Sequence, residues 1–245
     1  MLNVSFIIFG PVNSRRLGRS LGVNLIPHKT CNLDCVYCEC GRTTDLTNER
    51  KNYFDPGKVL KEIENAVTKD GHIDFITFAG NGEPSLYKDI KKITRGIKEK
   101  FPNIKLAIIT NATLLTDKDV FDALLDADVL LPSVDSALEA GFKKMNRPLV
   151  TLNLKEILDA LLKFKKVYKG AMWAEIFICH GINDTDVELA ALKDYMSKLK
   201  PDRIQLNSLD RPSAESWVQK TSVEQLKKVM EVFKNVCKVE IISRH

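Results

Sequence analysis

The sequence predicts an α/β fold, a partial (β/α)6 barrel of parallel strands in one domain over residues 1–245. Three observations predict it. Short apolar runs rich in Ile, Val and Phe alternate with longer stretches whose apolar residues recur at helical spacing, the pattern of a parallel sheet covered by helices. No linker or low-complexity segment interrupts the alternation. Polar residues gather just past the strand ends, at Cys31, Gly82-Glu83, Asn111, Asp135, His180 and Asn207, and parallel α/β folds place ligands at that rim. An open doubly wound sheet fits the same periodicity. The core is expected over about 20–212, with 213–245 adding a helix and a small strand.

In order, SLGVNLIP (20–27) reads as the first strand, with the cysteine-rich segment just after it. Asp55-Pro56 opens a helix as N-cap and first-turn proline, with Val59, Leu60, Ile63 and Val67 on one face. HIDFITFAG (72–80) is a buried strand, followed by a helix over 88–100. IKLAIITN (104–111) is the third strand, and Thr116 is placed to cap the next helix. DVLLPSVD (128–135) is the fourth, leading to a helix near 153–169 that Gly170 closes. MWAEIFICH (172–180) is the fifth, and Thr185 with Glu188 forms a capping box. RIQLNSLD (203–210) is the sixth. A last helix starts near Ser222, and KVEIIS (238–243) is a candidate extra strand.

With 44% hydrophobic and 28% charged residues, the composition is that of an ordinary globular protein. No apolar run reaches membrane-spanning length. MLNVSFIIFG shows neither a basic n-region nor a small-residue cleavage site, so a cytoplasmic location and no membrane partner are expected. The net charge of +5 permits a polyanionic partner such as RNA. However, no arginine-rich tract or RNA-binding signature is present, and the lysines lie beside glutamates as on solvated helix faces.

Residues 31–40 read CNLDCVYCEC and hold four of the chain's six cysteines. In a reducing compartment such clustering points to metal ligands or catalysts rather than disulfides. Cys179 and Cys237 stand alone in apolar surroundings and read as small buried hydrophobes. Cys31, Cys35 and Cys38 form C-x3-C-x2-C. On a four-iron cluster, three thiolates leave one iron open to bind and activate a ligand, as an open zinc position does. The other reading is structural zinc with Cys40 as fourth ligand. For that, Cys38-x-Cys40 is a poor knuckle spacing, and no second C-x2-C or H-x3-H follows.

CNLDCVYC, with Tyr37 before the third cysteine, resembles the cluster motif of radical S-adenosylmethionine (radical SAM) enzymes. AGNGEPSLY (79–87) resembles that superfamily's Gly-Gly-Glu-Pro segment, with Asn81 in place of the first glycine. GPVNSRRLGRSLGVN (10–24) resembles the branch that includes wyosine-synthase-like iron–sulfur oxidoreductases. So do TNAT (110–113), SVD (133–135), NRP (146–148), GIND (181–184) and QLNS (205–208). The resemblance runs from about residue 10 to about 212. It departs from characterised wyosine synthases in length and in having no cysteine before Cys31, which implies a single-cluster short form.

The resemblance implies a radical SAM type barrel, a [4Fe-4S] cluster on Cys31, Cys35 and Cys38, and S-adenosylmethionine on the open iron. Reductive cleavage would yield a 5′-deoxyadenosyl radical that abstracts hydrogen from a substrate. Tyr37, Gly80, Asn81, Gly82, Glu83, Asn111, Ser133, Asp135 and Asn207 are the implied cofactor-binding residues. Glu83 is also suited to orienting its loop through backbone amides. Gly82 is expected to tolerate no side chain, through close approach to the cofactor and a positive φ. Because the cysteines lie on another loop, a substitution there is expected to spare the iron.

Arg15, Arg16, Arg147, His180 and Arg211 are candidate substrate contacts, and Arg15, Arg16 and Arg19 equally suit a plug at the barrel floor. His72 reads as structural, His28 as a surface or supporting group, and His245 ends the chain. Implied partners are an electron donor such as flavodoxin or ferredoxin and a substrate of nucleic-acid base, RNA or nucleotide type. The rivals are an activase installing a glycyl radical in a partner protein, and a non-catalytic zinc- or cluster-binding regulatory module.

Overall fold

The structure, a computed structural model, describes residues 7–27 and 29–243, so His28 and His245 lie outside the described residues. The chain runs β1 (Ile8–Ser14), β2 (Gly18–Val23), β3 (Thr30–Cys31), β4 (Asp45–Leu46), α1 (Pro56–Asp70), β5 (Phe75–Phe78), α2 (Ile90–Lys100), β6 (Lys105–Thr110) and α3 (Lys118–Leu124). It continues with β7 (Val129–Pro132), α4 (Glu139–Asn146), α5 (Leu154–Val167), β8 (Ala171–Phe177), α6 (Asp186–Leu199), β9 (Arg203–Asn207), α7 (Val223–Phe233) and β10 (Lys238–Ile241). One sheet holds eight strands in the order β1-β2-β5-β6-β7-β8-β9-β10. β1 and β2 form an antiparallel hairpin, and every later pair in the sheet is parallel.

The sheet curls. Arg16, in the β1–β2 turn, reaches Glu175 on β8 and Gln205 on β9, the latter at 3.3 Å. In a flat sheet four or five strand spacings would hold those residues roughly 20 Å away. Arg15 from the same turn bonds the Ile242 carbonyl beyond β10 and Asp210 beyond β9. Alternation along the strands matches this shape. Ile76, Phe78, Leu106, Ile108 and Leu130 face outward into the main core beneath the helices. Ala107, Val129 and Leu131 face inward and pack with Leu17 of the hairpin turn. The arginine turn is therefore a plug, with its leucine inside the barrel.

KVEIIS does contribute a strand, β10, parallel to β9. The hairpin partner β1 was not expected. Its IFGPVNS segment contains Gly and Pro, which argue against a central strand but are tolerated on an edge with the register shift seen between Phe9 and Val12. Asp55 caps α1, accepting from Lys58 N at 2.8 Å. The cap of α3 is Asp117 rather than Thr116, because its carboxylate reaches the amides of Asp119 (2.8 Å) and Val120 (3.3 Å). α5 ends at Tyr168 rather than Gly170, where the backbone turns extended (φ −69°, ψ 130°) after a last bond to Phe164 O. The Thr185 box is one-sided. Glu188 N donates to Thr185 Oγ1 at 3.4 Å, but the Glu188 carboxylate turns inward to Ser136 Oγ (2.7 Å). Cys179 is buried and Cys237 half-buried. No helix among the described residues is long and apolar enough to cross a membrane.

Candidate functional site

The cysteine loop leaves β3 at the C-terminal rim and is clamped from two sides. On one side Lys29 N donates to Asn81 O (2.9 Å) and Glu83 N to Thr30 O (3.2 Å). On the other, Asp34 N donates to Asn146 O (3.0 Å), Val36 N to Met145 O (2.9 Å) and Leu149 N to Asn32 O (3.0 Å). The loop turns back on itself through Cys38 N to Cys35 O (3.1 Å) and Gly41 N to Cys38 O (3.0 Å). GNGEP and NRP, far apart in sequence, are thus the two walls of one loop.

The four sulfurs of that loop have different surroundings. Leu33 N (3.4 Å) and Asn111 Nδ2 (3.7 Å) donate to Cys31 Sγ. Asn146 Nδ2 donates to Cys35 Sγ at 3.4 Å, and Lys29 Nζ to Cys38 Sγ at 3.0 Å. Donors turned on sulfur favour thiolate. The Cys40 thiol instead faces acceptors, Gly80 O at 3.7 Å and Asn81 Oδ1 at 4.0 Å. A hydrogen bond from Cys40 and then the Lys29 ammonium hold the Cys38 thiol low, while the same bond pushes Cys40 up. Burial, and after it the Glu83 charge, pushes the metal-free Cys31 thiol to about 12. Burial and the Asp135 charge raise Cys35. Metal binding releases such protons. Among the described residues no three His, Cys, Asp or Glu side chains converge on a single ion. A four-iron cluster asks for something else, three thiolates on three separate irons, and the three donor-lined sulfurs fit it.

Glu83 is buried and organises its surroundings. Oε1 accepts from Ser85 N (3.0 Å), Ser85 Oγ (2.7 Å) and Thr110 Oγ1 (2.6 Å), and Oε2 from Asn111 N (2.7 Å). It joins the glycine segment to the end of β6. Asn111 passes the link on, donating to Asn32 Oδ1 at 2.7 Å as well as towards Cys31. Gly80 carries the positive φ, at 129°. Gly82 does not, so a positive φ is not why glycine stands there. A Cβ at Gly82 would overlap the Thr30 carbonyl oxygen and lie 2.7 Å from Ile26 Cγ2. What forbids a side chain is the backbone that leads into Cys31.

Asp135 is likewise engaged within the protein. Its Oδ2 accepts from Tyr37 OH (2.6 Å) and Asn146 Nδ2 (2.8 Å), and its Oδ1 from Phe177 N (2.9 Å). The Tyr37 ring stacks on Phe177 with centroids 4.0 Å apart and 9° between planes. Ser133 continues β7 through a bridge to Glu175. Burial lifts the Asp135 carboxyl to about 6, while the three hydrogen bonds pull it down. The folded state then keeps a proton that the unfolded chain has lost, so this group's stabilisation is complete below about pH 4 and disappears as pH rises through about 6. Between those pH values the wild type is expected to lose on the order of 2 kcal/mol relative to Asp135→Asn. Denaturant titrations at a series of pH values measure this, and parallel stability curves would refute it.

The remaining predicted residues divide. Arg15, Arg16, Asn207 and Arg211 line a cavity of about 570 Å³ inside the barrel, walled also by Phe9, Val12, Thr77 and Glu39. Arg15 and Arg16 are tied to Asp210 and Glu175. Arg211 lies at the mouth, 76% exposed, with Glu39 at 3.5 Å. Arg147 pairs with Glu215 at 2.6 Å behind the cysteine loop. His180 turns outward to Asp184 (2.7 Å) and lines no part of the cavity. Sequence reasoning missed Lys29, Asn32 and Asn146. Asn32 and Asn146 stand inside the CNLDC and NRP motifs, where only the cysteines and the arginine were singled out.

Residues 25–192 match the family model described as the radical SAM superfamily. The chain is 35% identical over 232 residues to a UPF0026 protein of Methanocaldococcus jannaschii, covering 94% of this chain and 72% of that one. It is 37% identical over 234 residues to a Brachyspira hyodysenteriae protein named GTPase Obg, covering 96% of this chain but only 34% of that protein. A solved radical SAM methyltransferase from Sphaerobacter thermophilus matches with TM-score 0.71 at 16% identity, over 91% of this chain and 65% of that one, a likeness of fold. Since the family model matches from just ahead of the first cysteine into α6, the chain belongs to the radical SAM superfamily.

Proposed function

We propose that this chain is a one-cluster radical SAM enzyme acting on a nucleoside-sized substrate, a nucleic-acid base or nucleotide. One observation carries the reading: N–H donors face the sulfurs of Cys31, Cys35 and Cys38, whereas Cys40 faces carbonyl oxygens. Those three thiolates would hold a [4Fe-4S] cluster and leave one iron for S-adenosylmethionine. Together the bound groups supply one-electron chemistry that abstracts a hydrogen atom from the substrate.

The chain's own residues position and shield. Gly80, Asn81 and Gly82 would offer backbone groups to the amino-acid end of S-adenosylmethionine, with Glu83 fixing their loop from behind. Asn111 and Ser133 end adjacent strands beside them and would offer polar groups to its ribose hydroxyls and carboxylate. Asp135 acts through Tyr37, holding the ring against Phe177 beside the cluster loop. Asn207 projects into the barrel cavity, whose volume suits a nucleoside. Phe9 and Val12 give that cavity an apolar wall that limits water. Arg211 at its mouth is the arginine freest to meet a phosphate, since Arg15 and Arg16 are paired internally. A flavodoxin or ferredoxin would supply the electron. Anaerobic incubation of the reconstituted, reduced protein with S-adenosylmethionine tests the reading, and chromatography of the quenched mixture is expected to show 5′-deoxyadenosine.

A further inference from the structure

Lys29 is a lysine that is only 3% exposed. Its ammonium donates to Cys38 Sγ at 3.0 Å, and Cys38 is the one thiol of the loop that its surroundings hold low. A buried cation without an anion is strongly destabilising, so this position calls for negative charge on the Cys38 sulfur. The backbone is arranged to deliver it. Lys29 adopts φ 57°, uncommon for a side chain of this size. Bonds on both sides hold that conformation. Its N–H donates to Asn81 O (2.9 Å), and its carbonyl accepts from Thr44 N (3.0 Å) and Asp45 N (3.1 Å). The glycine segment therefore sets where the ammonium points.

We propose that Lys29 is the internal counter-ion of the cluster, raising its reduction potential through a charged hydrogen bond to the Cys38 ligand. This rests on the cluster assignment above. One electron from a reduced flavodoxin- or ferredoxin-class donor takes the cluster core from 2+ to 1+, and the donor is oxidised by one electron. With three thiolate ligands the net charge goes from 1− to 2−, and no proton moves. Lys29 stabilises the product of that step more than its reactant. Hydrogen bonds to the sulfurs and local charge are the recognised controls on such potentials.

Redox titration of the reconstituted protein, followed by electron spin resonance, tests this with Lys29→Met and Lys29→Arg. At a fixed solution potential Lys29→Met is expected to lower the reduced-to-oxidised ratio about tenfold, a shift of about 59 mV for one electron. Lys29→Arg should stay near the wild type. An unchanged potential in a fully loaded Lys29→Met protein overturns the proposal, as do equal shifts in both variants. If Lys29→Met takes up no iron while Lys29→Arg does, the charge requirement stands. If neither does, Lys29 is a packing residue and the proposal falls. A wild type that assembles no cluster defeats the proposed function instead, before any variant is compared.

Discussion

Cys35→Ala is expected to abolish assembly of the iron–sulfur cluster, with iron and sulfide after anaerobic reconstitution falling to the level of the untreated chain. Cys31→Ala and Cys38→Ala should do the same, because on the proposed arrangement each thiolate would hold a separate iron. Asn146 and Asn111 would be left pointing at an empty position, and amide N–H groups do not ligate iron. Cys40→Ala is expected to keep its full iron content. Its thiol faces Gly80 O and Asn81 Oδ1, and it supports Cys38 only through a hydrogen bond. Iron and sulfide assays on the four variants give the comparison. A Cys40→Ala protein as empty as Cys35→Ala would revive the four-ligand zinc-like arrangement.

Gly82→Ala should fail in two ways. Read as sequence, the glycine segment and the cysteines belong to different loops, so iron would survive and only cofactor binding would suffer. The structure joins them. The added methyl group collides with the Thr30 carbonyl, which belongs to backbone rather than to a flexible side chain and cannot swing aside. Relief requires parting the two segments, which breaks the Glu83 N to Thr30 O bond and shifts Lys29 and Cys31. A misplacement of about 1 Å in a reacting site costs roughly a hundredfold in rate. The variant is therefore expected to bind S-adenosylmethionine poorly and to lose much of its cluster. Iron assay together with cofactor titration measures both, and normal iron with normal affinity would show that the loops are not coupled.

Local signals were legible in the sequence. The Ile- and Phe-rich strands, the Asp55-Pro56 and Ser222 starts, and the β10 strand all depend on residues within a turn of one another. The caps that were misplaced, Thr116 for Asp117 and Gly170 for Tyr168, lie one or two residues from the true ones, where several polar or small residues compete. What stayed hidden was non-local. β1 gains its place from pairing with β2, not from its own composition. The Gly82–Thr30 approach spans more than fifty positions, and nothing in GNGEP announces it. Asp135 could be placed at the rim, but its engagement by Tyr37 and Asn146 depends on two loops arriving together. Lys29 carries no signal in the sequence, and its left-handed backbone and burial become visible only in the fold.

On the proposed reading, three thiolates and the glycine segment form one site for radical SAM chemistry. The most direct measurement is S-adenosylmethionine turnover by wild type and Cys35→Ala side by side, each reduced anaerobically with its iron content determined. The wild type is expected to yield 5′-deoxyadenosine, even without its substrate, and Cys35→Ala none above background. A wild type that carries four irons, is fully reduced, and leaves S-adenosylmethionine unbound and intact would contradict it.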